Sequence, residues 1–300
     1  MKTLKPIIVY VILAYLISWL VFVPLALNHY QIIYFFRDDT AHTHTQDVWH
    51  LFGAFGPFVA AVATIKRFYN KETQWKFISG YSIRKLNAKS YMLSLSPLFI
   101  FAFSVVMARI IHHDWFNIYG YFQHNKLNNP ANLLAWLLPV LFYGFGEEAG
   151  WRGYALAALQ SKYSAFRATI ILSGIWACWH IPSFFYRYDL KGIAYLGFVL
   201  GIVAGAIWLT FLFNYTKGSI LAVSLWHLTF NMVSMIGKDE IILSAIMSIT
   251  IMLLAAFVLI KYKFEDLSPA KKSRLTAEII KSNAQMIRVT IHKPANALIK

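Results

Sequence analysis

The chain has 300 residues, of which 58% are hydrophobic and 14% charged, and its mean hydropathy is +0.53. That balance excludes an ordinary soluble domain and points to an all-α, polytopic membrane helix bundle. The formal charge of +15 falls in alternate loops rather than in one patch, so it reads as a topology signal and not as a nucleic-acid surface.

Eight apolar runs approach the roughly 20 residues needed to cross a bilayer. They are Pro6–Leu27, Val48–Ile65, Tyr91–Ile111, Ala131–Gly150, Ala168–Phe185, Ile193–Tyr215, Ile220–Ile236 and Ile241–Ile260. The first is too long for the apolar region of a secretory signal and has no small-x-small cleavage site, so it is read as a retained helix. Lys66, Arg67, Lys71, Lys76, Arg84, Lys85 and Lys89 separate runs two and three. Arg152, Lys162 and Arg167 follow run four, Lys217 follows run six, and the tail from Lys261 is densely basic. The other loops carry only Arg37, Arg109, Lys126, Arg187, Lys191 and Lys238. The positive-inside rule then places both termini in the cytoplasm, which an even number of spans requires. The expected organisation is one transmembrane domain over 1–262, with a polar core at about 131–236, and a basic tail over 263–300. Cys178, the single cysteine, offers no intramolecular disulfide and no cysteine-based metal site. The tail from Ser268, with Pro269 at a first helical position and Leu275, Ile279, Ile280, Met286 and Ile287 as apolar residues, fits either an amphipathic helix on the inner leaflet or a solvated basic segment.

The fourth run is the informative one. It holds Glu147 and Glu148 in an otherwise apolar helix. A charge at membrane depth costs at least about 2.5–3.5 kcal/mol on insertion scales, so it persists with a partner, a wet cavity or a function. Successive helical residues point about 100° apart, so the two carboxylates cannot face one point. Glu148 has Arg152 one turn on, in the favourable order for an ion pair. Glu147 is left to look towards another helix. Candidate partners are His180, just after which Pro182 will kink or end the helix, and His227 with Asn231, four apart on one face of the seventh run. At about 1.5 Å per residue, His227 lies roughly 11–14 Å and His180 roughly 18 Å from the cytoplasmic side, and Glu147 roughly 5–8 Å if its helix ends near Gly150. A lone His or Asn in an apolar helix is as readily an interhelical hydrogen-bonding group as a catalytic one.

Taken together, Glu147-Glu148-x-x-x-Arg152, Trp176-x-x-x-His180 and His227-x-x-x-Asn231 resemble the CPBP family of intramembrane proteases. This family includes the type II CAAX prenyl endopeptidases and bacterial proteins linked to bacteriocin processing and self-immunity. Trp176 stands where the family usually has Phe. The resemblance covers about Leu133 to Ile236, and it implies an intramembrane endopeptidase of a membrane-associated protein or peptide, in a bacterial plasma membrane, with no cofactor. It assigns Glu147 and His180 to water activation and His227 and Asn231 to the oxyanion, with Glu148, Arg152 and Trp176 as structural support. Three alternatives stay open: a zinc enzyme with Glu147, His180 and His227 as ligands, a non-enzymatic immunity or regulatory protein, and a transporter using Glu and His as a proton relay.

Overall fold

The computed structural model describes residues 4–34, 42–188 and 190–273. Every described element is helical. In chain order these are α1 (Lys5–His29), α2 (His42–Ala54), α3 (Gly56–Phe68), α4 (Lys71–Ser79), α5 (Ala88–Ser94), α6 (Ser96–His112), α7 (Ile118–His124) and α8 (Pro130–Glu148). A π-helical segment, Ala149–Leu156, runs on from α8 into α9 (Ala157–Gln160). Then come α10 (Ala165–Trp179), a 3₁₀ turn (Ile181–Phe185), α11 (Ala194–Tyr215), α12 (Ile220–Gly237) and α13 (Ile241–Lys261).

The starts of the central helices are written locally. Asn129 accepts the Ala131 amide at 2.9 Å ahead of Pro130, Ser164 accepts the Arg167 amide at 3.3 Å, and Ser219 accepts the Ala222 amide at 3.2 Å. Each satisfies one donor that a first helical turn leaves without a partner. The first amides of α12 also find the carbonyl of Gly80, from Ile220 at 2.8 Å and Leu221 at 3.2 Å. That bond ties the α4 turn to the seventh apolar run.

Among the described residues, five helical stretches are long and apolar enough to cross a membrane by length and composition: Lys5–His29, Val48–Phe68, Ala194–Tyr215, Ile220–Gly237 and Ile241–Lys261. The pair α5 and α6, bent by 53°, makes a sixth if it is one span. Two of the eight expected runs are absent from this set. The fifth becomes the 15-residue α10 followed by the turn that Pro182 opens. The fourth ends not at Gly150 but at Gln160, because the chain stays helical through the π segment. Roughly 15–20 Å of helix therefore separates Glu147 from that end, not the 5–8 Å expected. The whole stretch from Gly146 to Gln160 is buried without a break.

Helix α8 is the axis of the bundle, packed against α2, α3 and α12. Small residues allow the approach. A Cβ on Gly150 would stand 2.4 Å from Cβ of Pro57 and 2.5 Å from its carbonyl, and one on Gly144 would stand 2.8 Å from the carbonyl oxygen of Ser224. Such positions are the usual means by which apolar helices close on one another in lipid.

Past α13 the chain folds back on the bundle. The amides of Ala165 and Phe166 donate to the carbonyls of Glu265 and Phe264 at 2.9 and 3.0 Å, and Leu267 is fully buried. The helix considered from Ser268 is not formed over Ser268–Ser273, where Asp266 and the Ser268 hydroxyl take up backbone amides instead. The remainder of that stretch lies outside the described residues.

Candidate active site

A cavity of ≈ 580 Å³ opens beside α8, lined among others by Glu147, Trp176, His180, His227 and Asn231. Three separate stretches of sequence thus converge on one space. Glu148 and Arg152 are not part of the lining; both are fully buried behind it. The glutamates divide as their helical spacing demands, one into the cavity and one away from it.

Glu148 is the centre of the rear group. Its Oε1 accepts from Nη1 of Arg152 at 2.7 Å and from Nδ1 of His227 at 2.8 Å. The pairing with Arg152 matches the sequence expectation. The bond to His227 is additional, because the sequence reading pairs Glu148 with Arg152 alone. With a carboxylate taking Nδ1–H, the atom His227 has left for the cavity is Nε2. Arg152 lies over the Trp176 ring, 4.5 Å from its centroid. That stacking complements the guanidinium, whose Nε and Nη2 have no hydrogen-bond partner among the described residues.

Trp176 holds the front carboxylate as well. Its indole Nε1 donates to Oε2 of Glu147 at 2.9 Å. Its own carbonyl takes Nδ1 of His180 at 2.8 Å. A carbonyl only accepts, so His180 carries its proton on Nδ1 and its Nε2 keeps a lone pair for the cavity. The Trp179 ring packs edge-on against His180 at 4.8 Å, and the Trp176 ring does the same against His227 at 5.7 Å. Two imidazoles and one carboxylate are thus each fixed by a second group, the arrangement that preorganises a site. No three or more His, Cys, Asp or Glu side chains among the described residues are grouped so as to hold a metal ion.

The cavity also takes residues that the sequence reading passed over. His50 reaches it from α2, with Tyr143, Trp179, Arg187 and Tyr188. His50 bears the same mark that singled out His180, an imidazole in an apolar run, but its run is short.

Residues 129–233 match the family model described as Type II CAAX prenyl endopeptidase Rce1-like. The chain is also 29% identical over 192 residues to CAAX prenyl protease 2 of Methanococcus maripaludis, a match covering 60% of this chain and 69% of that protein. The matched model runs from the cap of α8 into α12 and takes in all seven residues of the motif pattern. Together with that pattern, the two similarities support a CPBP-family intramembrane protease, and the apolar helices an integral membrane protein.

Proposed function

We propose that the protein is an intramembrane endopeptidase that hydrolyses a peptide bond in a membrane-associated protein or peptide, using a water molecule activated by Glu147 and His180. The observation that carries this reading is the convergence of Glu147, His180, His227 and Asn231 on one cavity walled largely by apolar helices.

In this mechanism the water lies between the Glu147 carboxylate and Nε2 of His180. Glu147 takes a proton as the water oxygen attacks the scissile carbonyl carbon, and returns it to the leaving amine as the C–N bond breaks. The tetrahedral oxyanion faces the Asn231 amide and the Nε2 of His227. His227 donates there in its imidazolium form, whose charge the Glu148 carboxylate balances at 2.8 Å. Glu148 is thus a positioning residue for His227 as well as the partner of Arg152. The catalytic core is the segment 131–236, with both termini on the cytoplasmic face.

The Methanococcus relative is named for CAAX prenyl substrates. A C-a-a-X substrate ends three residues after a prenylated cysteine, and we extend that substrate class to this chain. The test is cleavage of a prenylated C-a-a-X peptide by the purified protein in detergent or liposomes. Wild type releases the C-terminal tripeptide, while Glu147→Gln and His180→Ala, folded and at equal membrane level, do not. Full cleavage by Glu147→Gln, or a biological activity untouched by both substitutions, overturns the proposal.

A further inference from the structure

The cavity is open at one end of the bundle and packed at the other. Its lining runs up to Ala194, the first residue of α11, and to Lys238, just past the end of α12. It also takes in Arg187, from the connection between α10 and α11, and both Arg187 and Lys238 are exposed. Along α11, Gly197 and Gly201 line the cavity and are exposed, whereas 206–214, towards the other end of the same helix, is buried throughout. A Cβ on Gly197, Gly201 or Gly205 would meet nothing within 4 Å, so this wall stands clear of its neighbours near the mouth.

Below Glu147 the interior is filled. Residues 146–160 are buried without a break. Nδ2 of Asn214 donates to Oε1 of Gln160 at 2.8 Å and to the carbonyl of Asp266 at 2.8 Å. The segment past α13 therefore lies across the ends of α9 and α11, with Leu267 fully buried beneath it.

The two ends also differ in charge. Lys66, Arg67, Lys162, Arg167, Lys217 and Lys263 stand at or just beyond helix ends on the packed side, while the mouth has Arg187, Lys191 and Lys238. Basic loops are the ones retained in the cytoplasm. The packed end is then the cytoplasmic one, and the mouth faces away from it.

We propose that the cavity admits its substrate from the extracytoplasmic face, so that the bond it cuts belongs to a peptide exposed at the outer leaflet. This rests on the endopeptidase reading of the same cavity and on the loop-charge orientation. Roughly 10 Å of helix separates Asn231 from Lys238 at the mouth, and three residues of extended peptide span about that length. A short peptide end entering there reaches Glu147, His180, His227 and Asn231, while Glu148 and Arg152, both fully buried, close the far side.

Single cysteines test the opening without any turnover. Cys178→Ser removes the only cysteine of the chain. Into that background go Ser234→Cys inside the cavity, Asp239→Cys beside the mouth and Lys263→Cys at the packed end. A membrane-impermeant maleimide added to intact cells labels Ser234→Cys and Asp239→Cys, and Lys263→Cys reacts only in inside-out vesicles. Labelling of Ser234→Cys from the cytoplasmic side alone overturns the proposal. If Asp239→Cys still reacts from outside, the cavity opens the other way; if both react from inside, the orientation is reversed. Cleavage is followed in proteoliposomes, with a prenylated C-a-a-X peptide whose charged N-terminal extension keeps it from crossing the bilayer. Cleavage before detergent rises with the fraction of protein whose Asp239→Cys faces out, and detergent releases the remainder. Cleavage that follows the outward fraction of Lys263→Cys instead overturns the proposal even when proteolysis stands. Outward labelling of Ser234→Cys with no cleavage by wild type supports the opening while rejecting the protease.

Discussion

The indole Nε1 of Trp176 donates to Oε2 of Glu147 at 2.9 Å, while the face of the same ring lies 4.5 Å under the Arg152 guanidinium. One side chain thus joins the carboxylate in the cavity to the ion pair behind it. A phenylalanine, the residue the family usually carries here, keeps the stacking surface and loses the donor. The indole N–H is thus the part of Trp176 that bears on Glu147 alone.

Trp176→Phe separates the two roles. Thermal stability should change little, because the ring still covers Arg152. A hydrogen bond to a charged group is worth roughly 1.5–3 kcal/mol, and at the lower end its loss lowers kcat about tenfold. Unchanged kcat in a folded Trp176→Phe enzyme would show that Glu147 is held by other means. Trp176→Ala should lower both kcat and Tm, since it also uncovers the guanidinium.

The rear network predicts the opposite pattern. Glu148 accepts from Arg152 and His227 and has no exposure. Removing one partner of a buried pair costs about 3–5 kcal/mol, because the other charge stays buried and unpaired. Glu148→Ala should lower Tm or membrane level sharply and take activity with it, through the lost orientation of His227. Glu147→Ala should abolish cleavage with Tm nearly intact. A Glu148→Ala protein as stable as wild type would refute the structural division of the pair.

The polar site was more legible than the frame that carries it. Glu147, Glu148 and Arg152 stood out because charge in an apolar run is costly, and helical spacing alone separated the two carboxylates. His180, His227 and Asn231 followed from the same argument with the motif order. The fourth run, read as Ala131–Gly150, continues as helix to Gln160. In the structure its charges and glycines sit mid-helix: Arg152 is neutralised by Glu148, and Gly150 packs on Pro57. Such compensation is tertiary and leaves no local mark. The π segment is equally silent, since no residue type encodes it, although such segments gather at functional sites. His50 lay unseen because its partner, Tyr186, is 136 positions away.

That packing gives a third expectation. A Cβ on Gly150 would stand 2.4–2.5 Å from Pro57, backbone atoms included. Gly150→Ala must shift α3 or the π segment, and overpacking of this kind costs about 1–3 kcal/mol. Because Glu147 and Glu148 lie within one turn, activity should fall along with Tm. A neutral Gly150→Ala would mean that α3 moves freely against α8. Gly174, around which a Cβ would meet nothing within 4 Å, is the matched control and should tolerate alanine.

The last expectation separates the routes by which this cavity could cut a peptide. A zinc site built from Glu147, His180 and His227 would lose activity on prolonged chelation and regain it with added zinc. Activated water needs neither, so activity should survive chelation, and purified active protein should hold less than stoichiometric zinc. Asn231→Ala then tests the oxyanion assignment. Removing one such donor typically lowers kcat by about 10²–10³, so a weak, measurable rate should remain. Glu147→Gln should fall below that rate, because an amide oxygen cannot take the proton from water. Chelator-sensitive activity restored by zinc would replace the glutamate mechanism with a metal one, and an Asn231→Ala enzyme at full rate would move the oxyanion to other donors.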